Sequence, residues 1–545
     1  MIRSELIRIL NRSIEARYGA QAGAEFSVEE PGAGISADAA TNLAFIISKK
    51  EKSKPADIAK LIQESVMDRE VIDRLDISKN GFINIYLNDQ FLFGLLSKIL
   101  REDDALGKDP AKQTRRIMIE FVSANPTGPL HIGHGRGAAL GNSLAHIYQQ
   151  LGYSVTSEYY VNDAGVQMAM LRDSVAAQYQ ELAGQAAAVI PENGYRGAYI
   201  TEIAKKMQSD QRLDFDVFPR EELLNSIRQD LIQFGVPFDV WSYESDLYKQ
   251  GKVEAAIAGL SERGRLLEKE GALWFSSDCM QTEDENMDKD RVLRKSNGNY
   301  TYFASDIAYH QDKFERGFER CIDIWGHDHH GYVPRVKGAV QSLGYSLDRL
   351  EIILYQLVSL KRGGERVAMS TRSGTFVTLK EILDEVGADA CRFFFAMRSP
   401  SSPLDFDVDL AKKRSNENPV FYVQYVHARI CSIFREAEKQ KFMSSGETVS
   451  WQDQGLTLAP EERELLVKLG FFTDTLEACV RLVSPNLLAT YLLDLANRFH
   501  KFYDRHRVLE ADPKVRAFRL ELLQGVQIIV RLGLKLLGVS APETM

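Results

Sequence analysis

A chain of 545 residues exceeds what one hydrophobic core usually supports, so about two to four domains are expected. Its 44% hydrophobic and 26% charged residues are ordinary for a soluble globular protein, and a net charge of −9 excludes a surface coated in basic charge. No run approaches the ~18 apolar residues needed to cross a bilayer, and the opening MIRSELIRIL lacks a signal peptide's apolar core.

In chain order, Ile2, Leu6, Ile7, Leu10 and Ile14 recur at helical spacing, and residues 55–67 read as a second helix. Residues 82–87 alternate as a strand with Ile83, Ile85 and Leu87 on one face. These elements predict a small α+β domain over residues 1–108, ending in a polar linker. A second domain, 109–410, opens with a buried strand at 116–122 (RIMIEFV), a Gly/Pro-rich turn, a helix over 135–151 and a strand at 154–160. Strand, turn, helix, strand is the first unit of a doubly wound parallel nucleotide-binding sheet. Residues 321–325 and 351–359 predict later strands, and a mainly helical insertion is expected at about 168–260.

Residues 411–545 read as an all-helical third domain with a loop at 444–455. Leu488, Tyr491, Leu492, Leu495, Phe499 and Phe502 form an apolar stripe, edged by Arg498, Lys501 and Arg505, that suits either a bundle core or a nucleic-acid face. This part carries 19 Lys+Arg against 16 Asp+Glu, so the acidic total does not exclude a local site for phosphates. The five cysteines, Cys279, Cys321, Cys391, Cys431 and Cys479, are too sparse for a disulfide framework or a metal motif. They predict a reduced, cytoplasmic protein without structural zinc.

The segment with most chemistry is residues 120–137, EFVSANPTGPLHIGHGRG. Its core, His131-Ile132-Gly133-His134, stands where a strand gives way to a helix. Gly133 removes a side chain where a nucleotide base must lie flat on backbone. The helix N-terminus offers free N–H groups to phosphate. His131 and His134 can donate to phosphate oxygens as charge builds in an in-line displacement. Two histidines at this spacing also occur by chance or as zinc ligands, but no cysteine stands nearby to complete a zinc set.

Here the chain resembles the class I aminoacyl-tRNA synthetases, and within them the arginyl enzymes of bacterial type. The resemblance covers nearly the whole chain. It is carried by residues 119–137, 158–165 (EYYVNDAG), 194–197 (GYRG) and 239–245 (DVWSYES). It continues through 300–310 (YTYFASDIAYH), 325–332 (WGHDHHGY) and 416–429 (NENPVFYVQYVHAR).

The resemblance implies that Glu120 and Asn125, with Ser123 between them, hold the backbone groups of arginine. It implies that Tyr302 and Asp306 hold the guanidinium, a planar fork suited to a carboxylate, with Asp328 as a second acceptor. Pro129, His131, Gly133 and His134 are placed on ATP. The family's second ATP signature corresponds to residues 368–374 (AMSTRSG): Met369 and Ser370 are present, but Ala368 and Thr371 replace common lysines. Arg372 is expected to take over their task, helped by Lys361, Arg362 or Arg366. His131, His134 and Arg372 are thus the expected catalytic residues.

The implied function is ATP-dependent activation of arginine and its transfer to arginine tRNA. Mg²⁺ accompanies ATP, the first domain contacts the tRNA, the last reads the anticodon, and the enzyme is a monomer. Two alternatives are a non-catalytic tRNA-binding relative and a small-molecule nucleotidylyltransferase, which would not need so long a helical third domain.

Overall fold

The computed structural model describes residues 1–19, 26–32, 34–185, 189–276, 290–367, 377–442, 451 and 455–545. The expected loop at 444–455 lies largely outside them. The helix Ile2–Tyr18 buries Ile2, Leu6, Ile9, Leu10 and Ile14. Pro55 opens the helix Pro55–Ser65, its missing N–H costing nothing at that position. The strand Ile83–Leu87 buries Ile83, Ile85 and Leu87 within an antiparallel sheet ordered Val28–Glu29, Ala39–Thr41, Ile83–Leu87, Ile72–Ile77. The stretch expected as a linker is ordered as the end of the helix Asp89–Glu102 and two 3-10 turns, Asp103–Ala105 and Pro110–Thr114. Asp109 caps the second turn by accepting from Ala111 N at 3.0 Å.

The central sheet has five parallel strands ordered Leu350–Tyr355, Arg320–Gly326, Arg116–Phe121, Ser154–Val161, Val240–Tyr243. The first strand in sequence is therefore the middle one, and the chain reverses direction across the sheet between it and Arg320–Gly326. A crevice opens at the carboxyl ends of strands at such a point. The helix Ile132–Gln150 packs on one face. It comes very close because Gly135, Gly137 and Gly141 face Leu379, Tyr355 and Phe121, where a Cβ would collide. The helix Tyr302–Glu315 interacts with the charged residues on the other face. There the register sets Glu120 directly beside Glu158 on one neighbour and Asp323 on the other, three carboxylates in a row.

Two elements differ from expectation. Residues 351–359 form two strands: Leu350–Tyr355 stays in the central sheet, whereas Val358–Arg362 pairs with Glu365–Arg366 and Leu404–Asp407. The break at Gln356 and Leu357 carries no Gly or Pro, and Gln356 N bonds to Pro400 O, 44 residues away in sequence. The insertion holds the helices Val166–Leu182, Ala198–Ser209 and Phe218–Gln233, but Val240–Tyr243 returns as the edge strand, too short to show periodicity.

The last part is a bundle of Pro419–Lys439, Pro460–Gly470, Phe472–Arg481, Asn486–Arg505 and Pro513–Leu536. The stripe from Leu488 to Phe502 is buried, as a bundle core requires. One apolar cluster runs from Ile2 through the central sheet to Val539. The first and last parts of the chain also meet through charge. Arg463 pairs with Asp38 at 2.6 Å and with Asp89, Lys468 with Glu30 at 2.6 Å, and Arg498 with Glu30. Arg392, fully enclosed, donates to Asn142 on the glycine-faced helix, to the carbonyls of Phe234 and Gly235, and to Leu537 O. Among the described residues no helix is long and apolar enough to cross a membrane.

Candidate active site

The crevice is built from the turn that follows Phe121. Val122 and Ser123 both adopt positive φ, +68° and +38°. For a β-branched valine this conformation costs about 1–3 kcal/mol and persists only where neighbours impose it. Ser123 Oγ donates to Glu120 at 2.8 Å and accepts from Tyr160 N at 3.1 Å, which holds the bend. Asn125 donates to Gln167 at 2.7 Å, and Tyr199 OH bonds Thr127 O at 2.9 Å, so the insertion braces the turn from outside.

His131 is the N-cap of the helix Ile132–Gln150. Its Nδ1 accepts from Gly133 N at 3.1 Å and His134 N at 3.4 Å, while His134 Nδ1 accepts from His131 N at 3.2 Å. The two rings stack at 3.6 Å. Because each Nδ1 accepts, each ring carries its proton on Nε2 when neutral. Burial lowers the pKa of His131, with Asp328 partly opposing it. Burial and then His131 lower that of His134 much further. Two neutral Nε2–H donors result. Gly133 has a reason beyond an approaching base: a Cβ there would stand 2.9 Å from the His131 ring.

The second ATP signature, with Met369, Ser370 and Arg372, lies outside the described residues. Past the undescribed stretch, Thr378 bridges to His131, and Leu379 N bonds Leu130 O at 2.8 Å. The cations of the hairpin before it are engaged: Lys361 and Arg366 with Asp405, each at 2.9 Å, and Arg362 with Glu385.

On the opposite wall, Tyr302 and Asp306 occupy the first turns of the helix Tyr302–Glu315. Tyr302 OH accepts from Val166 N at 3.0 Å, and Asp306 accepts from Tyr332 OH. Burial raises the pKa of Asp306, with the Tyr332 hydrogen bond opposing it. Glu120 is 4% exposed and accepts from Lys313 at 2.6 Å as well as from Ser123. Asp328 lies in the 3-10 turn His327–Tyr332, whose last residue donates to Asp306. The Asp328 side chain is largely exposed, and its charge acts on His131 and Tyr355 at the nucleotide-binding turn.

Two residues not singled out from the sequence belong here. Glu244, at the start of the helix Glu244–Lys249, is buried; Oε1 accepts from Ser305 at 2.6 Å, while Oε2 has no partner. Burial pushes its pKa up to about 7, and the charges of Asp306 and Asp163 add to this. Tyr160 is buried with its hydroxyl unpartnered, and feels Asp306, Glu244 and Glu120. A buried polar atom without a partner is costly. Two of them near the partly buried Asp306 carboxylate suit a cationic, multi-donor guest. The available signal was position: Glu244 lies in the 239–245 block and Tyr160 in the 158–165 block.

A nucleotide-type turn and a carboxylate pocket at the switch of a five-stranded parallel sheet, joined to a helical bundle, define a class I tRNA synthetase. Residues 95–395 match the family model described as tRNA synthetases class I (R), catalytic domain. Residues 4–87 match an arginyl tRNA synthetase N-terminal domain, and 423–545 a DALR anticodon binding domain. The chain is 46% identical over 534 residues to an arginine–tRNA ligase of Syntrophotalea carbinolica, covering 96% of this chain and 95% of that protein. It is 45% identical over 521 residues to that of Desulfosudis oleivorans, covering 93% of each. A solved Thermus thermophilus arginyl-tRNA synthetase, 22% identical and covering 100% of both chains, shares the fold with a TM-score of 0.77. The chain belongs to the arginyl-tRNA synthetases.

Proposed function

We propose that the crevice activates arginine with ATP and passes it to the 3′ end of arginine tRNA, with its two walls dividing the work. Glu120, Ser123 and Asn125 face the amino acid's backbone groups. Tyr302 and Asp306 receive the guanidinium together with Glu244 and the Tyr160 hydroxyl. The observation that carries this reading is the buried, unpartnered Glu244 Oε2 beside Asp306, since a guanidinium supplies donors to both carboxylates.

The arginine carboxylate attacks the α-phosphate, and pyrophosphate leaves. His131 and His134 donate from Nε2 to the phosphate oxygens, Pro129 and Gly133 shape the backbone beneath the nucleotide, and Asp328 serves as a second acceptor for the guanidinium. Arg372, with Met369 and Ser370, serves the departing pyrophosphate, because Lys361, Arg362 and Arg366 are already paired. Magnesium brought in with ATP, held largely by phosphates and water, would neutralise charge on the triphosphate. Among the described residues no group of three or more His, Cys, Asp or Glu side chains is placed to hold a metal ion. The protein acts as a monomer, and its cytoplasmic placement is in keeping with Cys321, Cys391, Cys431 and Cys479, which are buried and not in disulfides.

Arginine-dependent ATP–pyrophosphate exchange, with and without arginine tRNA, tests the reaction. Exchange is expected with the tRNA present. Its absence in both, with tRNA binding intact, would favour the non-catalytic reading and implicate Ala368 and Thr371.

A pH series tests the guanidinium site. The guanidinium needs ionised Glu244, whose pKa is raised to about 7. The arginine KM should therefore climb as pH falls from about 8 to about 6, while the ATP KM stays level. Glu244→Gln should show a uniformly high arginine KM with that climb abolished. A climb that persists in Glu244→Gln assigns it to another group.

A further inference from the structure

The three carboxylates in a row across the sheet, Asp323, Glu120 and Glu158, are neutralised from one helix. On Tyr302–Glu315 and the residue after it, Asp306, Tyr309, His310, Lys313 and Arg316 recur at helical spacing, so one face carries them all. Lys313, wholly enclosed, bonds Glu120 at 2.6 Å and Asp323 at 2.8 Å. His310 bonds the other Asp323 oxygen at 2.9 Å and, through Nδ1, the carbonyl of Asp306 at 2.7 Å. Tyr309 and Arg316 hold Glu158 at 2.8 and 2.7 Å.

The geometry of this lattice has one consequence for the pocket. Glu120 belongs to the strand end that meets the amino acid's backbone groups, and Asp306 to the helix turn that meets the guanidinium. The path Glu120–Lys313–Asp323–His310 is an unbroken chain of side-chain hydrogen bonds that ends on the backbone carbonyl of Asp306, in the helix turn that carries the pocket carboxylate. We propose that Lys313 is a positioning residue that sets the separation of the two ends of the pocket, and so selects the length of the bound side chain. It rests on the reading of the pocket given above. Lys313 touches no substrate and acts through Glu120 and Asp323. Burial alone would lower a lysine's pKa, but Asp323 and Glu120 more than reverse this and hold it above its ordinary value, so the strut stays charged. In a strut of this kind a shift of about 1 Å is enough to cost about a hundredfold in a reaction.

The test compares arginine with its homologues one methylene longer (homoarginine) and one shorter (2-amino-4-guanidinobutyrate), in tRNA-supported ATP–pyrophosphate exchange. Lys313→Met is expected to raise the arginine KM about tenfold or more, to leave the ATP KM within about twofold, and to cut the preference for arginine over both homologues about tenfold. Lys313→Met/Asp323→Asn removes one charge of each sign and guards against failure of the single variant to fold; the same loss of preference is expected. Lys313→Arg keeps the charge and lengthens the strut, so it should restore thermal stability yet shift preference toward homoarginine. An unchanged preference in any folded variant, or a loss shared equally by arginine and ATP, overturns the proposal. Asp306→Ala, measured alongside, separates the two levels. An unchanged arginine KM there sinks the pocket reading itself, whereas a raised one with length preference intact in the Lys313 variants sinks only the strut.

Discussion

Asp306→Ala should raise the arginine KM about a thousandfold while the ATP KM moves less than about threefold. Removing one partner of a buried, hydrogen-bonded charge pair costs about 2–5 kcal/mol, largely because the remaining charge is left without an acceptor. At about 1.4 kcal/mol per decade, a value of about 4 kcal/mol, in the upper half of that range, gives this factor. The selectivity for arginine over ATP follows from the two walls. Asp306 and Tyr332 lie on the helix wall, whereas the paired histidines lie across the crevice at the opposite helix N-terminus. Tyr332, which donates to Asp306, would lose its partner in the variant, so Asp306→Asn should be milder. Titration of arginine into the enzyme and steady-state KM values both read the effect. Equal losses for arginine and ATP would remove Asp306 from the pocket.

His134→Ala should lower kcat about 10²–10³-fold with little change in the arginine KM, the range found when one preorganised donor is lost from a site of developing charge. The structure separates two contributions to that loss. His134 Nδ1 accepts from His131 N and helps cap the helix, a role worth about 1 kcal/mol of stability. Its Nε2–H is the proposed phosphate donor. His134→Asn can keep an acceptor near the Nδ1 position but cannot supply the Nε2 donor. It should melt near the parent and still be slow. Parent-like turnover in the asparagine variant would assign His134 to the cap alone. Because burial lowers the pKa of both histidines, each is neutral at and above neutral pH, and neither should impose a protonation step on kcat there.

How much of this was legible depends on how far apart the contributing residues lie. The histidine turn was readable because strand, turn and helix are contiguous, and the glycines that let the helix approach the sheet fall within one run, Gly133 to Gly141. The proposed roles of Tyr302 and Asp306 rest on their block, since a lone carboxylate near a helix start is usually a cap. Glu244 and Tyr160 went unassigned because what marks them is a missing partner, and a missing partner is a property of packed atoms. Lys313 meets Glu120 193 residues away, a contact that no local period encodes. The split of residues 351–359 into two strands was hidden for a similar reason: the break is imposed by a carbonyl at Pro400 and by Arg136, which donates to Gln356 O, Ser399 O and Ser402 O. The assignment of Asp328 as a guanidinium acceptor drew on its block. Its charge is also felt at His131.

The ion pairs that join the early sheet to the late bundle make the chain something like a strap with its two ends buckled. Arg463 is fastened to Asp38 and Asp89, and Glu30 is shared between Lys468 and Arg498. The catalytic sheet hangs from this buckle as the middle of the strap, and Arg392 is a rivet where the bundle's last helix meets the catalytic helix. A tug on the bundle is therefore felt at both ends of the middle section at once: through the buckle and residues 89–114 on one side, and through the rivet on the other.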